Sequence, residues 1–335
     1  MEFKGIELHD IRGMELNQET GGYMLSRLPL SLEPKLKANA RVVSGAELRL
    51  VLIDDEVRIK IKKIGGTFAY GIVYYGSVQS GWRELYKPIH TGECEITLKK
   101  SKSTQELQSI CAATGAAFSP EVVRVVLQSA QYEILDVIGQ CRPPRPDELP
   151  KKTYLAYGSS ITHGSLAIHP ADSYPFRVSQ ALGVDYLNLG FAGCALLEPE
   201  MADYIADCCQ FSFASLEMGI NLLSKVEPEE LERRARYFVS RIAKAHPEAK
   251  IFCTDVIYQD ADFFQADDPD RKINLFRRAI KRVVEEPALP NLVYLPALSL
   301  LDGVQYLTED LCHPNSRGTE VLAQNLIAAM QKELG

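Results

Sequence analysis

Tyr154-Leu155-Ala156-Tyr157-Gly158-Ser159-Ser160-Ile161-Thr162 opens the half of the chain whose reading decides the fold. A short apolar run ends on a glycine, and a pair of serines follows on the turn. The run is bounded by a turn signal and is too short for a helix, so it reads as a buried strand. That strand delivers Ser160 to its carboxyl end.

Toward the C-terminus the same rhythm repeats. Short apolar runs stand at Val184 to Leu189, Phe213 to Met218, Ile251 to Val256 and Leu292 to Leu295. Helical patterns separate them at Tyr174 to Leu182, Pro228 to Ala245, Asp270 to Glu286 and Gly318 to Leu334. Alternation of this kind predicts a parallel sheet with helices on both faces. Ligands of such sheets bind where the carboxyl ends of the strands open into loops, which is where Ser160 falls.

Toward the N-terminus the period changes. Glu47 to Leu50 and Val57 to Lys62 alternate apolar with charged residues, as strands with one wet face do. Further β-type runs follow at Phe68 to Tyr75, Glu95 to Leu98, Val122 to Leu127 and Tyr132 to Ile138, punctuated by Gly65-Gly66, Gly76 and Gly92. Short strands at this spacing predict an all-β sandwich of jelly-roll type. Arg142-Pro143-Pro144-Arg145-Pro146-Asp147-Glu148-Leu149-Pro150 is rich in proline and reads as a linker. The expected organisation is therefore a sandwich domain over 1–141, a linker over 142–152 and an α/β domain over 153–335. Phe68, Tyr70, Tyr74, Tyr75, Trp82 and Tyr86 form an aromatic-rich stretch. It either fills the sandwich core or stacks on sugar rings, the first being the better supported because strands favour aromatics anyway.

With 46% hydrophobic and 24% charged residues, the 335-residue chain has the composition of a globular protein with a substantial core. A formal net charge of -7 argues against a nucleic-acid partner, since that affinity rests on Lys and Arg neutralising phosphates. Lys60, Lys62 and Lys63 read as the wet face of one strand. No apolar run is long enough to span a bilayer, and Met1 to Glu7 contains no secretory apolar stretch. Eight cysteines without regular spacing read as reduced thiols, and Cys208-Cys209 is not in a metal-binding frame, so a cytoplasmic location is expected.

Asp310-Leu311-Cys312-His313-Pro314-Asn315 adds a carboxylate three residues before a histidine. Serine is a weak nucleophile until an imidazole takes its proton, and a carboxylate orients and stabilises that imidazole. Taken singly, each piece has another reading. The Gly-Ser-Ser-Ile-Thr turn could cap a helix or cradle a phosphate. Asp310 and His313 could form a plain turn or, with a third group, hold a metal, although no third ligand stands nearby. Asn221 could be a helix cap. His163 and His169 flank the serine and are expected on the rim of its site or on the surface.

Four short blocks in order resemble the SGNH (GDSL-type) hydrolase family over roughly residues 152 to 335. Gly158-Ser159-Ser160-Ile161-Thr162 is similar to its nucleophile block, Asn188 to Gly193 to its second, Gly219-Ile220-Asn221 to its G-x-N block, and Asp310 to His313 to its D-x-x-H block. The resemblance implies a flavodoxin-like three-layer α/β/α domain. Ser160 would be nucleophile, His313 base and Asp310 its orienter, with Ser160, Gly193 and Asn221 forming the oxyanion hole. It implies no metal or other cofactor. Ser159 stands where the family usually has aspartate, which leaves open the local hydrogen bonds that an aspartate would make. A sandwich before such a domain is similar to the arrangement in some carbohydrate-active esterases, and the sandwich would bind carbohydrate or act as a lid. The expected activity is acyl-ester hydrolysis of an acylated carbohydrate, an acetylated sugar for instance, or of a small metabolite. Acyl transfer to a metabolite hydroxyl by the same site is the alternative, and an inactive sugar-binding protein is the second.

Overall fold

The computed structural model describes all residues except 37–38, 67–68, 82–84, 265–267 and 287–288. Phe68 and Trp82 of the aromatic stretch therefore lie outside the described residues.

The N-terminal half is an antiparallel sandwich. Its larger sheet has Glu47–Leu52 and Val122–Leu127 as paired central strands, extended by Ile6–His9 on one side and Tyr70–Tyr75 on the other. The second sheet is centred on Glu56–Gly65 and Gln131–Ile138. In Glu56–Gly65 the alternation does what it predicts: Val57, Ile59 and Ile61 are buried, while Arg58, Lys60 and Lys62 alternate with them toward solvent. The strands between Glu2 and Ser26 are two to four residues long, too short to impose a readable period.

The proline-rich stretch is anchored rather than free. Cys141–Arg142 pairs with Glu47–Leu52, and Pro146–Glu148 makes one 3-10 turn. Glu148 accepts from both terminal nitrogens of Arg142 at 2.7 and 2.6 Å, which holds its carboxyl down at about 2.

The C-terminal half is a parallel sheet in the order Asp185–Gly190, Thr153–Gly158, Phe213–Glu217, Lys250–Thr254, Leu292–Leu295, the 2-1-3-4-5 order of flavodoxin-like folds. Helices Tyr174–Leu182 and Ser316–Leu334 pack together and contribute to one hydrophobic cluster, whereas Pro199–Cys208, Pro228–Ala245 and Lys272–Glu285 contribute to another. The whole is thus a three-layer α/β/α unit preceded by a β-sandwich.

The sandwich packs on the outer strand Asp185–Gly190, and the contact is polar as well as apolar. Every residue of that strand is buried although it ends its sheet. Its outward backbone groups are met by side chains instead of by another strand. His9 Nε2 lies 2.6 Å from the Tyr186 carbonyl, the Asn188 N–H donates to Asp10 at 3.1 Å, and Arg27 donates to the Asn188 carbonyl at 2.8 Å. Below them, Arg49 makes a two-pronged pair with Asp185 at 2.7 and 2.6 Å and shares Glu47 with Arg124. Tyr74, expected in the sandwich core, instead crosses this interface to pack on Phe176.

Candidate active site

Ser160 begins a short helix, Ser160–His163, at the carboxyl end of Thr153–Gly158. Ser159 caps it by accepting from the Ile161 N–H at 3.2 Å, and Gly164 closes it in the left-handed region. As the first helical residue, Ser160 has an N–H with no intrahelical acceptor. The turn therefore presents both the hydroxyl and a free backbone donor.

The opposite wall comes from the segment between Val304 and the last helix. Thr308 N–H donates to the His313 carbonyl at 2.8 Å, and the Asn315 amide donates to the Gln305 and Leu307 carbonyls. Asn315 Oδ1 then caps Ser316–Leu334 through the Gly318 N–H at 2.9 Å. Within this turn Leu311 has φ +54, a left-handed conformation that costs a β-carbon residue on the order of 1 kcal/mol. Hydrogen bonds from Asp260 N–H to the Leu311 carbonyl and from Leu311 N–H to Thr308 hold it there.

These two walls bring the three expected residues together in series. Ser160 Oγ lies 2.6 Å from His313 Nε2, and His313 Nδ1 lies 2.7 Å from Asp310 Oδ2. With Nδ1–H donating to the carboxylate, Nε2 is left as the acceptor for the serine proton. Asp310 Oδ1 also accepts from Thr308 Oγ1 and from the N–H groups of Cys312 and His313. Desolvation pushes the Asp310 carboxyl up, but these donors outweigh it and hold the group well below its ordinary range.

Gly193 and Asn221 reach the same cavity. It has a volume of about 550 Å³, and its other walls are largely apolar, with Leu166, Ile220 and Leu223 among them. Gly193 has φ +71, on a turn after the outer strand closed by Cys194 N–H to Phe191 at 3.0 Å. Asn221 Oδ1 accepts from the Ala195 N–H at 3.1 Å, so its amide NH₂ is the end left for a ligand. Lys225 Nζ donates to the Asn221 carbonyl at 2.8 Å and to the Gly193 carbonyl at 3.5 Å, tying the two loops together.

His163 is not on the rim. It is buried at the contact with the sandwich, where Ser129 Oγ lies 2.6 Å from Nε2 and the Gly190 carbonyl 3.0 Å from Nδ1. Burial, with the nearby Arg27 charge, pushes its imidazole down to about 3, so it stays neutral. His169 is half-buried and stacks edge-on against Tyr86. Sequence reasoning did not single out Leu166, Ile220, Gln259 or Cys312 as site residues; apolar and amide side chains on loops carry no signature of the cavity they line. Among the described residues, no group of three His, Cys, Asp or Glu side chains is placed to hold a metal ion. All eight cysteines are free, and among the described residues no helix is long and apolar enough to cross a membrane.

A parallel sheet with serine, imidazole and carboxylate in hydrogen-bonded series at its carboxyl edge has the groups of a serine-dependent acyl-transfer enzyme. Residues 151–331 match the GDSL-like lipase/acylhydrolase family, and the chain belongs to it. It is thus an SGNH-type esterase in the broad sense, an acylhydrolase or an acyltransferase. None of the curated proteins matches it in sequence. Among solved structures it is similar to a salicylyl-acyltransferase from a tetracycline biosynthetic pathway, at 18% identity and TM-score 0.76 over 98% of this chain and 95% of that one. It is also similar to a family two carbohydrate esterase from Clostridium thermocellum in complex with cellohexaose, at 14% identity and TM-score 0.63 over 99% of both chains. A family two carbohydrate esterase from Cellvibrio japonicus follows at 13% identity and TM-score 0.64 over 98% of this chain and 95% of that one. At these identities the likeness is one of fold, and it includes the sandwich.

Proposed function

We propose that the chain hydrolyses an acylated carbohydrate or small metabolite through an acyl-enzyme on Ser160. The observation that carries this reading is the unbroken series Ser160 Oγ, His313 and Asp310, at 2.6 and 2.7 Å, facing one cavity with Gly193 and Asn221. His313 Nε2 takes the hydroxyl proton as Ser160 Oγ bonds to the ester carbon. The Ser160 and Gly193 N–H groups and the Asn221 amide stabilise the resulting oxyanion. His313 returns the proton to the leaving alcohol oxygen as the carbon–oxygen bond breaks, and the same steps with water release the acid.

In this reading residues 1–141 form the sandwich unit, 142–152 the connection and 153–335 the catalytic unit. All the described residues that line the cavity belong to the last. Among the described residues the sandwich meets the site at one remove: Tyr70 OH donates to the Ile168 carbonyl, on the loop whose Ser165 and Leu166 form one wall, and Ser44 Oγ donates to the carbonyl of His163, at the end of the helix that Ser160 begins. That supports a propping role for the sandwich ahead of sugar binding. Eight free cysteines support a reducing, cytoplasmic setting.

The apolar walls favour one further reading, transfer of the acyl group to an alcohol, because a site that excludes water lets another hydroxyl resolve the acyl-enzyme. Hydrolysis of p-nitrophenyl acetate and longer esters by wild type and Ser160→Ala tests the first reading, which fails if both are equally active. Analysis of products with an added alcohol separates transfer from hydrolysis. Ligand binding without turnover, and without labelling by a fluorophosphonate, would leave a sugar-binding protein instead.

A further inference from the structure

Glu217 ends the strand Phe213–Glu217, beside the strand that carries the nucleophile turn, and is fully buried. Its Oε2 accepts from the Ser159 N–H at 2.7 Å, from Ser159 Oγ at 2.7 Å and from Thr162 Oγ1 at 3.0 Å. Ser159 and Thr162 stand on either side of Ser160 and Ile161, so one oxygen ties both ends of the stretch that bears the serine. We infer that Glu217 is a positioning residue for Ser160, supplying from the adjacent strand the carboxylate that position 159 lacks. This rests on the reading of Ser160 as nucleophile.

The directions of the hydroxyl protons follow from the carboxylate. The proton of Ser159 goes to Glu217, which frees its lone pairs to cap the Ile161 N–H. The Thr162 proton also goes to Glu217, so the Tyr174 hydroxyl, 2.7 Å away, is the donor to Thr162. The clamp explains Gly158 as well. A β-carbon there would stand 2.1 Å from Thr162 Oγ1 and 2.5 Å from Glu217 Oε2.

The second oxygen argues that the carboxyl is kept for the turn rather than for stability. Among the described residues, Glu217 Oε1 is buried without a protein hydrogen-bond partner, and no cation pairs with the carboxyl. Such an oxygen is a cost to the fold, which a neutral side chain of the same shape would reduce. Burial accordingly pushes the carboxyl up, against the pull of Ser159 and Thr162. What the carboxyl provides in return is three acceptor bonds at one oxygen, which hold both ends of the turn that bears Ser160.

The test is a cycle of four proteins, wild type, Glu217→Gln, Ser159→Asp and the double variant, with Ser160→Ala as control, assayed on p-nitrophenyl acetate. Glu217→Gln is expected to lose kcat by about tenfold or more with KM within about twofold, since positioning acts on the reacting geometry rather than on binding. Ser159→Asp is expected to lose activity too, because two carboxylates in contact cannot both ionise. The double variant, with its single carboxylate returned to 159, is expected to recover to within about threefold of wild type. A Glu217→Gln protein with wild-type kcat, or a double variant no better than the worse single, overturns the inference. Full activity in Ser160→Ala overturns instead the reading of the site. Should Glu217→Gln fail to fold, Thr162→Val and Ser159→Ala each remove one bond to Glu217, the first together with the Tyr174 contact and the second together with the Ile161 cap. Losses of kcat at unchanged KM in both support the clamp, and wild-type kcat in both refutes it.

Discussion

Asp310 binds His313 twice: Oδ2 faces the ring Nδ1 at 2.7 Å, while Oδ1 accepts from the backbone N–H of the same residue at 2.9 Å. One carboxylate thus fixes both where the imidazole is and which way it faces. Asp310→Asn keeps an acceptor for the backbone but no longer selects the tautomer. A fall in kcat on the order of 10²- to 10⁴-fold, with little change in KM, is expected from steady-state kinetics.

The pH dependence follows from the same turn. The Asp310 carboxyl is held well below its ordinary value of about 4. A depressed carboxylate contributes stability above its unfolded pKa and loses it only as pH falls through the lower folded value. The turn should therefore be intact at pH 4. Activity regained in full after incubation at pH 4 and return to neutral pH, with unchanged near-UV dichroism at pH 4, is the expected outcome; loss of the turn above pH 4 would contradict it.

Asn221 is oriented by the Ala195 N–H, which leaves its amide NH₂ as a donor toward the cavity. Asn221→Ala should lower kcat by about 10²- to 10³-fold and leave KM nearly unchanged. A loss confined to KM would make Asn221 a ground-state contact.

The buried cluster of Glu47, Arg49, Arg124 and Asp185 predicts a stability effect far from the site. Arg49→Leu leaves Asp185 and Glu47 short of a partner, and a loss of about 3–5 kcal/mol is expected in denaturant unfolding. Desolvation pushes Glu47 up, but Arg124 and Arg49 hold it down at about 2. Its contribution is present above about pH 4 and should be lost on acidification from there toward pH 2. Unfolding in wild type, but less so in Arg49→Leu, should steepen over that range.

Where periodicity is strong, the sequence is a close guide. Tyr174–Leu182, Pro228–Ala245, Val122–Leu127 and Leu292–Leu295 have the limits their patterns predict. Pro199–Cys208 was not foreseen, nor were the short strands before Ser26, which have too few residues to establish a period. The order of the four blocks led to residues that the structure brings to one cavity: three are turns at strand ends, and the fourth, Asp310 to His313, is the turn before the last helix. His163 and Tyr74 were misplaced for one reason: both are buried where the sandwich and the α/β half meet, a contact between segments far apart in sequence. Glu217 was passed over because nothing local distinguishes a buried strand-end charge from an exposed one.

The outer strand Asp185–Gly190 has a further consequence. Its hydrogen-bonding edge is finished by His9, Asp10 and Arg27 rather than by a neighbouring strand. Cutting the chain near residue 151 would expose that edge and leave Asp185 without Arg49. The remainder would be a template for strand addition between molecules, so the sandwich acts toward the catalytic half as a built-in chaperone.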